Sequence, residues 1–369
     1  MNWTDTKICQ PACKEQIETP ALLIDLDAME ANIAQMASYF HERPCKLRPH
    51  AKTHKTPLIA HKQLAAGSAV GITVAKLGEA EVMIKGGIQD VLLANQVVEP
   101  AKLARLAGLS RHATLTLAID DVSNAAMLDQ IAAAYGTTVG VLIEVNVGLN
   151  RCGVPWGEPA QDLARQVLEL NHLRFRGLMG YEGHVVLLRD PQDRVRLAHE
   201  AMEKLLSTRD LLVRNGIDVE IVSAGGTGTY NITGDLPGID EVQAGSYVFM
   251  DDRYQQTSIG FAQALHLYST VISRPSSEMA ILDAGLKSIT SDWGSPVVKD
   301  RPDWKVEALH EEHALVRIPG GDRTLRPGDK IELVPSHGCT TINLHDRYYA
   351  LRGNRIEAVW DIPARGCFR

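Results

Sequence analysis

A lysine at the end of a strand, set among other cations, is a candidate nucleophile. The segment Arg48-Pro49-His50-Ala51-Lys52-Thr53-His54-Lys55 has that form. It follows a short apolar–polar run that reads as a strand, and Pro49 argues against a long helix. Neighbouring cations lower the pKa of an amine, which would keep Lys52 nucleophilic near neutrality. A basic surface turn has the same composition, so the chemistry must be argued from the rest of the chain.

Two later loops have the composition of an anion cradle: Ser223-Ala224-Gly225-Gly226-Thr227-Gly228-Thr229 and Gln243-Ala244-Gly245-Ser246-Tyr247. Glycines let backbone N–H groups approach a phosphate, and the hydroxyls add donors. Taken alone, such loops are also ordinary tight turns. A lysine and a phosphate cradle together point to pyridoxal phosphate. Arg151, in Asn150-Arg151-Cys152-Gly153, then becomes a fixed cation for the anionic phenolate oxygen of that cofactor. A third constellation lies in Pro335-Ser336-His337-Gly338-Cys339-Thr340-Thr341. His337 and Cys339 are spaced i, i+2, so on an extended strand both side chains face one way. Imidazole with thiolate suits Zn²⁺, and also Co²⁺ or Mn²⁺, and two ligands leave positions open for water and substrate. A buried structural pair would have the same spacing.

The elements that position these residues alternate. Strands are expected at 22–26, 46–50, 71–75, 90–94, 115–119, 139–145, 174–180 and 220–223, with amphipathic helical stretches between them. Eight strands alternating with helices predict a (β/α)8 TIM-type barrel over residues 21–255. In that frame the polar residues share one rim: Lys52 after the second strand, Asn95 after the fourth, Asp120 after the fifth, Arg151 after the sixth. Tyr181 and His184 follow the seventh, and the Ser223–Thr229 loop follows the eighth. From about residue 256 to 369 the rhythm changes to short strands and tight turns, which predicts a mostly antiparallel β domain carrying the metal pair. Residues 1–20 read as an extension that packs on that domain.

Composition excludes other classes. Of the 369 residues, 45% are hydrophobic and 22% charged, with a net charge of -7, so nothing global suggests nucleic acid or an anionic membrane. No apolar run approaches the roughly 20 residues needed to span a bilayer. The N-terminus, Met1-Asn2-Trp3-Thr4-Asp5, lacks the pattern of a signal peptide, and a cytoplasmic location is expected. The six cysteines are scattered, which argues against a disulfide framework, and Cys9 and Cys13 have no second pair with which to form a zinc knuckle.

With these motifs on the page the chain resembles the fold-type III pyridoxal-phosphate enzymes, the alanine-racemase-like barrels, and within them the D-threonine aldolase and D-serine dehydratase group. The resemblance runs nearly end to end, from Thr19-Pro20-Ala21-Leu22-Leu23-Ile24-Asp25-Leu26-Asp27 through Leu282-Asp283-Ala284-Gly285-Leu286-Lys287 to Ala364-Arg365-Gly366. It implies that Lys52 carries the cofactor, Arg151 meets its phenolate and Tyr181 lies beside its ring. It implies that Gly225, Gly226 and Thr227, with Gly245 and Ser246, hold the phosphate, and that His337 and Cys339 bind a divalent metal. Some aldolases of this group carry aspartate where Cys339 stands. The implied reaction is retro-aldol cleavage of a small-molecule D-β-hydroxy-α-amino acid to glycine and an aldehyde, with His184 or a metal-bound water as base. Its rivals on the same scaffold are a D-serine or 3-hydroxy-D-aspartate dehydratase and a 3-hydroxy-D-aspartate aldolase, the latter favoured by an extra cation such as Lys287 or Arg347. A cofactor carrier without activity would lack the β domain, and a metal hydrolase using His50 and His54 would leave Arg151 and the glycine loops unexplained. The resemblance also implies a head-to-tail homodimer with shared active sites, in which His337 and Cys339 serve the Lys52 of the partner.

Overall fold

A computed structural model describes residues 13–369 of the protein; residues 1–12, with Met1–Asp5 and Cys9, lie outside the described residues. Among the described residues the first sheet runs through eight parallel strands, Lys46–Leu47, Ile72–Val74, Asp90–Leu93, Thr114–Ile119, Val139–Asn146, Leu173–Gly180, Ile221–Ala224 and Glu241–Val242, with a ninth, Val154–Pro155, paired to the side of Val139–Asn146. Lys46 is in register with Glu241, which joins the first strand to the eighth. Parallel bridges Leu47–Ala69 and His50–Thr73 join the first to the second, so the barrel closes. Successive side chains point to opposite faces of each strand. Leu92, Ala118, Leu142, Met179 and Ile221 make one buried cluster, while the alternating Val91, Leu117, Val141, Leu178 and Val222 join the larger core that includes helix residues.

The barrel is therefore as expected in kind and strand number, but not in membership. The strand Ala21–Asp25, expected to open the barrel, lies in the second sheet, antiparallel to Leu265–Ser276 and parallel to Arg347–Arg352. Its place in the barrel is taken by Glu241–Val242, and every barrel strand is one earlier in the count than its sequence position suggests. A helix, Pro57–Ala65, also fills the first crossover, with Pro57 at its first position, where the missing N–H costs nothing.

The second sheet has nine strands and is otherwise antiparallel. Besides the three strands just named it includes Met279–Leu282, Val297–Val298, Lys305–Leu309, Ala314–Arg317, Lys330–Val334 and Arg355–Asp361. Residues next to the described N-terminus lie on it: the Lys14 N–H donates to the Asn354 carbonyl at 3.0 Å, and Lys330 Nζ donates to the Ile17 carbonyl at 2.6 Å. The five described cysteines are free. No helix among the described residues is long and apolar enough to cross a membrane.

One ion triad ties the barrel together below the Lys52 turn. Arg48 is 3% exposed. Its Nε donates to Glu241 Oε2 at 2.7 Å on the eighth strand, and its Nη1 donates to Asp90 Oδ1 at 2.6 Å on the third. Removing one member of a buried pair strands the other's charge, at about 3–5 kcal/mol. Arg48→Met is expected to lose about that much stability, seen as a lower urea midpoint by far-UV circular dichroism. An unchanged midpoint would contradict this account of barrel closure.

Candidate active site

A cavity of about 210 Å³ opens at the C-terminal ends of the barrel strands. Its walls include all eight residues expected to surround a cofactor: Lys52, Arg151, Tyr181, Gly225, Gly226, Thr227, Gly245 and Ser246. Asn95, Gln96, Glu144, Gln243 and Tyr254 also line it, and of these only Asn95 had been expected on the rim.

Of the basic run, His50 and Lys52 line this space, and Lys52 brings an amine that is not held in an ion pair there. Arg48 is held in the triad, and Lys55 Nζ is 2.5 Å from Glu79 Oε1. Burial drives the pKa of His50 far down and that of His54 to about 3, so both rings are neutral. His54 uses both ring nitrogens, accepting from the Thr56 N–H at 3.3 Å and facing Gln63 Oε1 at 3.1 Å. Neither a basic surface turn nor a metal site at His50 and His54 fits this arrangement. The pKa of Lys52 is lowered, as its cationic setting predicted. The leading cause is burial, however, with Arg151 and Lys55 adding to it and Cys339 and Glu79 opposing.

The phosphate loops are held from behind. Gly225 has φ +75°, a conformation few other residues adopt without strain. A Cβ on Gly245 would lie 2.7 Å from the His50 carbonyl oxygen, so only glycine lets the loop approach the Lys52 turn this closely. Both loops enter short 3₁₀ turns, Thr227–Thr229 and Ser246–Val248. The first N–H groups of such turns lack partners within the turn and suit an anion. Fully buried Glu182 accepts from the Gly225 N–H at 3.2 Å and from the Thr229 and Thr233 hydroxyls at 2.6 Å. Thr227 Oγ1 accepts from the Tyr247 N–H at 3.1 Å, which locks one loop to the other.

Tyr181 lies between two cations, with Lys52 Nζ 5.9 Å and the Arg151 guanidinium 5.7 Å from its ring centre. Burial first, and then Glu182, push its phenol up to about 12, so it stays protonated. The loop bearing Arg151 is pinned where Asp120 Oδ2 accepts from the Gly153 N–H at 2.9 Å.

The metal pair does not sit on an extended strand. His337 has extended backbone and precedes a short helix, Gly338–Ile342, in which Cys339 stands in the first turn. The two side chains still meet, and their hydrogen bond raises the imidazole pKa and lowers that of the thiol. Burial opposes both shifts; against it, Cys339 and Asp292 bring His337 up to about 9, while His337, Lys52 and Thr53 bring Cys339 down. Asp292, which no motif marked, stands 2.6 Å from His337 Nδ1, and the Trp293 ring stacks on the imidazole at 3.6 Å between centres. Cys339 Sγ lies 3.5 Å from Thr53 Oγ1, beside the Lys52 of its own chain. Within one chain the pair thus lies next to the Lys52 turn.

His184 is exposed and is not among the residues lining the cavity; its ring lies against Gly148. Lys287 is paired with Glu312 at 2.5 Å on the surface, and Arg347 is exposed outside the cavity wall.

The residues fit the two groups they were expected to hold. An amine, a close-approach glycine loop and a guanidinium around one cavity suit pyridoxal phosphate. For the metal, a carboxylate on the second nitrogen of a ligating histidine is the usual way of fixing its ring. Among the described residues no cluster of three or more His, Cys, Asp or Glu side chains is set for a metal, so an ion here would complete its shell with water or substrate.

Comparison with known proteins agrees with this geometry. The family "Alanine racemase, N-terminal domain" matches residues 24–253, and "Putative serine dehydratase domain" matches residues 264–351. The chain is 38% identical over 358 residues to a D-threonine aldolase of Arthrobacter sp, covering 96% of this chain and 94% of that protein. It is 36% identical over 363 residues to a 3-hydroxy-D-aspartate aldolase of Paracoccus denitrificans (strain Pd 1222), covering 96% and 93%. The crystal structure of D-threonine aldolase from Filomicrobium marinum superposes with a TM-score of 0.94 at 39% identity, covering 97% of this chain and 98% of that one. The chain thus belongs to the alanine-racemase-like family of pyridoxal-phosphate enzymes, within its D-threonine aldolase and D-serine dehydratase group, and is an enzyme of the lyase class.

Proposed function

We propose that the protein is a pyridoxal-phosphate- and divalent-metal-dependent aldolase that cleaves D-β-hydroxy-α-amino acids with an uncharged β-substituent, D-threonine among them, to glycine and an aldehyde. The observation that carries this reading is the meeting of Lys52 with His337 and Cys339 in one chain, Thr53 and Cys339 being 3.5 Å apart. A substrate held in the cavity beside Lys52 would lie close to the two side chains that would hold the metal.

Pyridoxal phosphate supplies an electron sink for the bond broken at Cα when it is bound. A divalent ion on His337 and Cys339 would supply Lewis acidity at the β-hydroxyl. The chain's own residues do the rest. Lys52, with its pKa lowered chiefly by burial, keeps more of its amine unprotonated for attachment and exchange. Arg151 would face the cofactor phenolate, and the turn that starts at Thr227 and the Gly245–Ser246 backbone would take its phosphate, the Gly225 and Gly226 N–H groups being held by Glu182 and Thr229. Asp292 fixes the His337 ring through Nδ1 and leaves the other nitrogen for the metal. His184 is left out of this scheme because it stands off the cavity.

Charge favours an uncharged side chain over that of 3-hydroxyaspartate. Among the described residues, Lys52 and Arg151 are the lysine and arginine that line the cavity, and both are committed to the cofactor. The charged neighbours of His337 are carboxylates, Asp292 and Asp251, which would repel a β-carboxylate.

Product analysis with D-threonine, pyridoxal phosphate and a divalent metal tests the reaction. Glycine plus acetaldehyde is expected; ammonia plus 2-oxobutanoate would make the enzyme a dehydratase. D-threonine is expected to have a higher kcat/KM than D-3-hydroxyaspartate, and the reverse order would refute the charge argument. Lys52→Ala is expected to lose the visible absorbance of lysine-bound cofactor, and a yellow protein after dialysis would remove Lys52 from that role. Asp292→Asn is expected to weaken metal binding about 10–100-fold by equilibrium titration.

A further inference from the structure

A buried carboxylate on the barrel side bonds to the segment that carries His337 and Cys339. Asp251 follows the eighth barrel strand and is 3% exposed. Its Oδ2 accepts a hydrogen bond from the Gly338 N–H at 3.1 Å, and its Oδ1 accepts one from the Tyr254 N–H at 3.0 Å. Gly338 is the residue between His337 and Cys339, and Tyr254 lines the same cavity as Lys52. Next to these bonds, the Asp252 N–H donates to the Pro335 carbonyl at 3.0 Å. Both oxygens of one buried side chain thus connect the wall of the cofactor cavity to the backbone of the metal pair.

We propose that Asp251 is a positioning residue that fixes His337 and Cys339 relative to Lys52, so that metal and cofactor act on one substrate. The proposal rests on the metal reading given above. Hydrogen bonds from N–H groups to a carboxylate are charge-assisted, and burial removes competing water. Asp292 and Trp293 also hold His337, but they belong to the β domain themselves. Asp251 reaches the pair from the other side of the domain boundary. Its loss would leave the Gly338 and Tyr254 N–H groups without acceptors and let the segment relax. A displacement of about 1 Å at a reacting centre is enough to cost on the order of 100-fold in rate.

The test is Asp251→Asn, which keeps the side-chain shape but puts an amide NH₂ against one of the two N–H donors. Cobalt(II) is titrated into the cofactor-loaded protein and read by thiolate-to-cobalt charge-transfer absorbance; pyridoxal phosphate is titrated separately by its visible absorbance. The unmodified protein is measured first, and failure of it to take up cobalt would sink the metal reading and this proposal together. If it does bind, the variant is expected to bind cobalt about 10–100-fold more weakly with its cofactor affinity unchanged. At saturating cobalt, kcat is expected to fall more than KM rises. Equal cobalt affinity overturns the proposal, and so does a parallel loss of cofactor affinity, which marks general loosening. Should the variant not fold, hydrogen exchange at the Gly338 amide of the unmodified holoenzyme decides. Strong protection is expected, and exchange at the rate of an open amide refutes the role.

Discussion

The cavity depends on a buried, neutral histidine that keeps the Lys52 turn from moving. His54 Nδ1 accepts from the Thr56 N–H, which leaves the proton on Nε2 to be donated to Gln63 Oε1. The amide nitrogen of Gln63 then donates to Tyr247 Oη at 2.9 Å, directly after Ser246 of the second phosphate loop. From the β domain, Tyr348 Oη donates to the His54 carbonyl at 2.8 Å. Each bond fixes the direction of the next. Because burial brings the imidazole pKa to about 3, the tautomer holds across the physiological range and the chain of bonds does not reverse. One side chain therefore sets the lysine against both the glycine-bearing loop at Ser246 and the domain that carries His337 and Cys339.

The same economy explains why so basic a run of sequence makes so little basic surface. Arg48 closes the barrel, His54 orders the turn, and Lys55 is bonded to Glu79, whose other oxygen accepts from the Ala75 N–H at 2.8 Å. Only Lys52 is left with its amine in the cavity. A cation among neutralised neighbours in a buried setting has the lowered pKa its chemistry needs, without the repulsion of five unpaired charges.

What the sequence made legible were residues whose own type carries the signal. Lysine and arginine after strands, and two glycine- and hydroxyl-rich loops, marked Lys52, Arg151, Gly225–Thr227 and Gly245–Ser246, while the family resemblance placed Tyr181 beside the cofactor; all of these line the cavity. Sheet membership was not legible for Ala21–Asp25, because strand–helix alternation is local while the partners of that strand begin at Leu265 and Arg347. Glu241–Val242, only two residues long, offers no alternation to detect. Glu182, Asp251 and Asp292 escaped for another reason. Each works through a contact between segments far apart in the chain, and a carboxylate that accepts such bonds looks like any other. His337 and Cys339 were found by type, although the extended geometry assumed for them gave way to the start of a helix.

The placement of Ala21–Asp25 between two strands from the far end of the chain bears on how the protein is made. At a translation rate of about 5–20 residues per second, this strand leaves the ribosome on the order of ten seconds to a minute before its partners exist. Through that interval Ala-Leu-Leu-Ile-Asp has both of its hydrogen-bonding edges open. An apolar strand with open edges invites pairing with other nascent chains. The yield of soluble enzyme in a cell is then governed by how quickly synthesis reaches the last strands, and slow codons in the second half of the message would lower it without altering the stability of the finished fold.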